Sequence, residues 1–61
     1  MALDHNGTYL TENDDVMYIN PKDGSEQECT ITRILTENRI IIVSEDDNML
    51  TVNAKDCYQL P

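Results

Sequence analysis

The chain has 61 residues, twelve of them acidic and four basic, for a formal net charge of −8. That balance excludes direct attraction to nucleic acid or to an anionic membrane surface, because the four cations, Lys22, Arg33, Arg39 and Lys55, are scattered along the sequence. A chain this short buries only about 60% of its unfolded surface; lacking Trp and Phe, it must build one small core from Ile, Leu, Val, Met, Cys and Tyr.

Residues 1–14, MALDHNGTYLTEND, show no clear period. They read as a flexible N-terminal arm with Tyr9 and Leu10 as its anchors. The lone His5 lies there with no Ser or Cys close in sequence, so it reads as a solvated side chain. The sequon at Asn6 carries no weight without an apolar leader, and that lack points to a reducing, cytoplasmic setting. In such a setting Cys29 and Cys57 are expected as buried free thiols. No apolar run reaches the roughly 18 residues needed to span a bilayer.

Residues 15–61 read as one domain. DVMYIN, 15–20, alternates, with Val16 and Tyr18 on one side and Met17 and Ile19 on the other. The Pro21 and Asp23-Gly24 chemistry of the next segment predicts a turn. EQECTITRIL, 26–35, is the longest predicted strand. Its apolar beat runs Cys29, Ile31 and then Ile34, so a period of two slips by one residue. An extra residue in one strand is what a β-bulge supplies, and bulges bend strands. TEN, 36–38, predicts a short loop in which Asn38 can accept a positive φ. RIIIV, 39–43, is stiff and β-branched and predicts a strand, but four apolar residues in a row leave its inward face open. SEDDN is the next turn, and its charge guards the oily run against pairing with other chains. MLTVN, 49–53, predicts a strand with Leu50 and Val52 on one face. AKDC predicts a tight single turn and YQL a closing strand. Five short strands joined largely by hairpin turns predict an all-β domain, a small antiparallel barrel or sandwich.

The segments DVMYI, ECTITRI, RIIIVSEDDNMLTV and NAKDCYQL together resemble the SH3-like barrels of the Tudor and KOW type, over about three quarters of the chain. The resemblance implies a five-stranded antiparallel barrel with a short helical turn before the last strand. Tudor domains that read methylated cations need an aromatic cage. Only Tyr9, Tyr18 and Tyr58 are present here, and Tyr18 falls at an inward position. KOW-type relatives that touch RNA are basic and carry a loop glycine, whereas this chain is acidic and its second hairpin has none. Compact acidic barrels of this kind also resemble small phage or prophage proteins.

No catalytic or metal-binding pattern stands out. Cys29 and Cys57 are too far apart for a CxxC pair, Glu45–Asp47 lacks the spacing of a calcium loop, and Gly7 and Gly24 stand alone. The chain is therefore expected to be no enzyme, with no metal and no cofactor. The expected function is that of an acidic protein-binding module, a phage-type inhibitor or DNA mimic that engages the basic surface of a nucleic-acid-binding host protein. Glu26 and Glu28, two apart on a strand, project to one face about 7 Å apart, a spacing comparable with successive phosphates on one DNA strand. Asp15, Glu45, Asp46 and Asp47 complete the expected partner-binding set, with Asp14, Asp23 and Glu37 as outlying members. The alternative is a structural or assembly protein that homodimerises through Met17, Ile19, Ile41 and Val43 on an outer sheet face.

Overall fold

Side-chain alternation decides which face of each strand turns inward, and the computed structural model, which describes all 61 residues, settles that choice for every strand. The fold is all-β. Seven strands run in chain order: β1 (Ala2–Leu3), β2 (Tyr9–Leu10), β3 (Asp15–Ile19), β4 (Glu26–Ile34), β5 (Arg39–Ser44), β6 (Met49–Asn53) and β7 (Cys57–Gln59). A single 3-10 turn, Ala54–Asp56, joins β6 to β7. The strands form two antiparallel sheets, the hairpin β1-β2 and a five-stranded sheet in the order β6-β5-β4-β3-β7.

The core is made from one side of the large sheet. Val16 on β3, Cys29 and Ile31 on β4, Ile40 and Ile42 on β5, Val52 on β6 and Cys57 on β7 are all buried. The run Ile40–Val43 thus divides cleanly, with Ile40 and Ile42 fully inward and Ile41 and Val43 half-buried on the other side. Full burial of an Ile side chain stabilises by roughly 1.5–3 kcal/mol, so Ile31, Ile40 and Ile42 together rival the whole net stability of a domain this size. Tyr18 and Ile34 pack against the rim of this cluster. Cys29 and Cys57 are buried and unbridged.

The slipped beat in β4 is a bulge. Ile31 pairs with Ile42, but the next pair is Arg33 with Ile41, which leaves Thr32 as the extra residue. Arg33 stays outside while Ile31 and Ile34 both face the core side. The Thr32 hydroxyl donates to the Ile41 carbonyl at 3.3 Å. Ile31 also binds the chain before β3: its N–H donates to the Asp14 carbonyl at 2.9 Å, and its carbonyl accepts the Asn13 N–H at 2.8 Å.

The turns follow local chemistry, with one correction. Gly24, at φ 74°, closes the β3–β4 turn and donates its N–H to the Asn20 carbonyl at 2.7 Å. Between β4 and β5, Asn38 does not take a positive φ. The Thr36 hydroxyl oxygen instead accepts the N–H groups of Asn38 and Arg39 at 3.2 and 3.0 Å, so the loop is held by a Ser/Thr-type turn. The left-handed residues other than glycine are Asn13 (φ 76°) and Asp47 (φ 63°).

Within residues 1–14 the structure places an ordered hairpin whose Ala2 and Leu10 enter the core beside Ala54. Leu10 is the anchor, whereas Tyr9 is 61% exposed. The hairpin is organised by Asp4. Its Oδ1 accepts the N–H groups of Asn6 and Thr8 at 2.9 and 2.8 Å, and its Oδ2 accepts the N–H of Gln59 at 2.9 Å. The His5 N–H donates to the Cys57 carbonyl at 2.9 Å. These last two bonds occupy the outer edge of β7.

Candidate functional site

Five of the six expected carboxylates gather on one part of the outer surface. Glu26 and Glu28 project outward from β4, opposite Ile19 and Met17 of β3. Asp15 starts β3 opposite Thr30, whose hydroxyl donates to its Oδ1 at 3.1 Å. Ser44 pairs with Cys29 at the end of β5, so the turn that follows carries Glu45 and Asp46 past Glu28. One hollow of about 150 Å³ is bordered by Asp15, Glu28, Thr30 and Glu45. A second, of about 240 Å³, is bordered by Glu26, Glu28, Glu45 and Asp46. Glu28 and Glu45 belong to both, so the hollows share a wall. None of the four basic residues borders either one.

The buried Cys29 thiol reports this charge. Burial pushes it above its usual range, and the carboxylates of Glu28 and Glu45 push it further in the same direction. Cys57 lies deeper and is pushed up to about 12, first by burial and then by Cys29, Asp56 and Asp4. A thiol held that high is a poor nucleophile at neutral pH.

The other expected carboxylates do different work. Asp47 sits at the left-handed corner of the β5–β6 turn, where its N–H donates to the Ser44 carbonyl at 3.0 Å, and it borders neither hollow. Asp14 is occupied by the Thr11 N–H and the Gln59 side-chain amide, both at 2.9 Å. The Thr11 N–H leads in holding its carboxyl below the usual aspartate range, with burial opposing. Asp23 accepts the Ser25 N–H at 2.9 Å and is lowered chiefly by that bond. Glu37 lies apart, bordering a hollow of about 310 Å³ with Met1, Leu3, Tyr9, Asn38 and Lys55. That hollow has no period-two signal, because its walls come from the chain start, the two-residue strands, the β4–β5 loop and the 3-10 turn.

The expected apolar outer face is present but divided. Met17 and Ile19 stand on β3 and Ile41 and Val43 on β5, all half-buried. The β4 row of Glu26, Glu28 and Thr30 runs between them. His5 stacks on Tyr58, with ring centroids 4.6 Å apart, and its Nδ1 lies 3.3 Å from the Lys55 carbonyl. No three of the His, Cys, Asp and Glu side chains converge as a metal site, and no helix is long and apolar enough to cross a membrane. No protein-family model matches the chain, and neither a curated protein nor a solved structure matches it.

Proposed function

We propose that residues 15–61 are an SH3-like barrel of the Tudor/KOW type. On this reading the chain is a cytoplasmic, non-catalytic binding module, a phage-type inhibitor or DNA mimic. The fold reading is supported by the strand order β6-β5-β4-β3-β7, by the bulge at Thr32 and by the 3-10 turn leading into β7.

One observation carries the functional reading. Asp15, Glu26, Glu28, Glu45 and Asp46 border two hollows with a common wall and no cation among them. Neighbouring carboxylates without counter-charges repel one another, and a basic partner relieves that repulsion. The Glu26–Glu28 spacing of about 7 Å lets successive carboxylates meet cations arranged to meet successive phosphates. The partner is therefore a protein with a basic, nucleic-acid-binding groove. Its association is fast and weakens with salt. The carboxylate row across β4 interrupts the apolar positions on β3 and β5, which favours this reading over assembly through that face.

The test is displacement. Proteins retained on a column of double-stranded DNA are challenged with this chain at constant ionic strength. The wild-type chain is expected to elute a defined DNA-binding protein. The Glu26→Gln, Glu28→Gln, Glu45→Gln, Asp46→Asn variant is expected to elute none of it. If a glutamate polymer of equal charge elutes the same proteins equally well, the arrangement of carboxylates is irrelevant and the reading fails.

A further inference from the structure

The two outer edges of the large sheet are treated differently. At β7 the outward carbonyl of Cys57 and the outward N–H of Gln59 are both taken, by His5 and Asp4. At β6 nothing of the kind is seen. Ser44 donates to the Asn48 carbonyl at 3.0 Å and Ala54 donates to the Asn38 carbonyl at 2.8 Å. Bonded pairs in an antiparallel ladder recur every second residue. Leu50 and Val52 therefore turn their backbone groups toward β5, and Met49, Thr51 and Asn53 turn theirs away from it. The strand is also exposed, with Met49 at 67% and Leu50 at 40%. Natural sheets blunt such an edge with Lys, Pro, an inward charge or a cover. Residues 49–53, MLTVN, contain no charge and no proline.

We infer that β6 pairs with β6 of a second copy of this chain, antiparallel about a two-fold axis at Thr51. The register follows from the backbone. With Thr51 opposite the second copy's Thr51, each donates its N–H to the other's carbonyl. Met49 then faces Asn53, and the Asn53 N–H reaches the Met49 carbonyl on both sides of the axis. A shift by one residue would set outward-directed groups against inward-directed ones. A shift by two would strand a pair at each end.

Side chains agree with this register. Leu50 lies opposite the second copy's Val52 on the core side, where its exposed flank needs cover, and the two Thr51 side chains meet on the outer side, a favourable cross-strand pair. The antiparallel arrangement also brings the acidic turn before β6 of one copy to the end where the 3-10 turn with Lys55 follows β6 of the other, twice by symmetry. Lys55 is exposed and is the one cation of the C-terminal third of the chain. The backbone edge supplies the contact and this charge pairing supplies the fit, as in strand addition generally. The interface uses β6, with β5 between it and the carboxylates of β4, so it does not depend on the proposed binding function.

The experiment is sedimentation velocity over a concentration series, combined with residue-resolved amide exchange on the full chain. The expected result is a monomer–dimer equilibrium in which exchange at Met49, Thr51 and Asn53 slows as the dimer fraction rises. Added salt is expected to change the dimer little, because it screens both the repulsion between two copies of charge −8 and the attraction between the acidic turn and Lys55. Capture of a basic partner weakens with salt, so the two readings fail separately. Thr51→Pro removes an N–H that β5 does not use and is expected to abolish the dimer. Thr51→Lys sets like charges face to face on an exposed strand and is expected to do the same. Either variant, if folded by amide chemical shifts, suffices. A monomer at every concentration overturns the inference. So does a dimer in which those three amides still exchange freely, or one that survives in a folded variant.

Discussion

The Asp4 carboxylate and the Gln59 backbone N–H meet at 2.9 Å across 55 residues of chain, and this bond fastens the N-terminal hairpin to the last strand. The other carboxylate oxygen holds Asn6 and Thr8. A residue only 4% exposed thus serves three donors that would otherwise be stranded.

Replacing it exposes the cost. Asp4→Ala removes a charged acceptor from three N–H groups and is expected to destabilise by about 2–3 kcal/mol. Urea unfolding of the two proteins at neutral pH measures it. A difference below about 0.5 kcal/mol, the usual size of a surface effect, would show that the hairpin contributes little to the fold.

The same clasp predicts an acid limb. Burial alone would raise the Asp4 carboxyl, but the N–H groups of Gln59, Thr8 and Asn6, helped by His5, outweigh it and hold the group below the usual aspartate range. A carboxylate depressed in the folded state adds stability above its unfolded pKa and loses it as pH falls through the folded one. The gap between wild type and Asp4→Ala is therefore expected to be full near neutrality and to close in acid. Urea midpoints at stepped pH values read this directly, and a gap that widens in acid would reverse the assignment.

The field around Cys29 gives a third prediction. Burial dominates its raised thiol, and Glu28 and Glu45 add to it. The double variant Glu28→Gln, Glu45→Gln is expected to lower the Cys29 titration while leaving Cys57, which has different neighbours, where it was. Thiolate absorbance in single-cysteine backgrounds separates the two. Equal movement of both thiols would mean that the carboxylates do not converge on Cys29.

The division of residues 40–43 is open to a paired test. Ile42→Ala removes a fully buried side chain and is expected to cost about 2–5 kcal/mol. Ile41→Ala, on the half-buried side, is expected to cost distinctly less. Denaturant midpoints of the pair decide it, and equal losses would indicate that the outer face is covered as tightly as the core.

Deleting Thr32 tests the bulge. Without the extra residue, regular alternation runs through Ile31 inward, Arg33 outward and Ile34 inward, opposite the same Ile42, Ile41 and Ile40. Every face assignment is kept, and only the bend and the Thr32 hydroxyl bond to Ile41 are lost. The deletion is expected to keep a cooperative unfolding transition at a lower urea midpoint, and a deletion mutant that fails to fold would show that the pairing of Arg33 and Ile34 depends on the extra residue.

How far the residues alone disclosed this depends on whether the signal was local. Cys29, Ile31 and Ile34 announced the bulge because a period of two makes a single slip visible. Asp23-Gly24 announced its turn because few residue pairs suit a positive φ. Ile40 and Ile41 could not be told apart, since apolar side chains on both faces erase the alternation that would separate them. The β1-β2 hairpin stayed hidden because two-residue strands have no period. Asp4 stayed hidden because its decisive donor, Gln59, is remote in sequence, although DHNGT does spell a turn. Glu26 and Glu28 were legible as a pair from spacing, and the approach of Glu45 and Asp46 followed from the hairpin. The local bonds of Asp14 and Asp23 were not anticipated, although a carboxylate two or three residues from a free N–H serves the backbone readily.

The unequal treatment of the two sheet margins also sets a ceiling on growth. A ribbon with one margin stitched by its own N-terminus can join another copy only back to back, and the pair then has no bare margin left. Undoing the stitch at Asp4 would open a second margin on every molecule, and a further contact made there, added to the closed pair, would let the pairs run on as an endless filament.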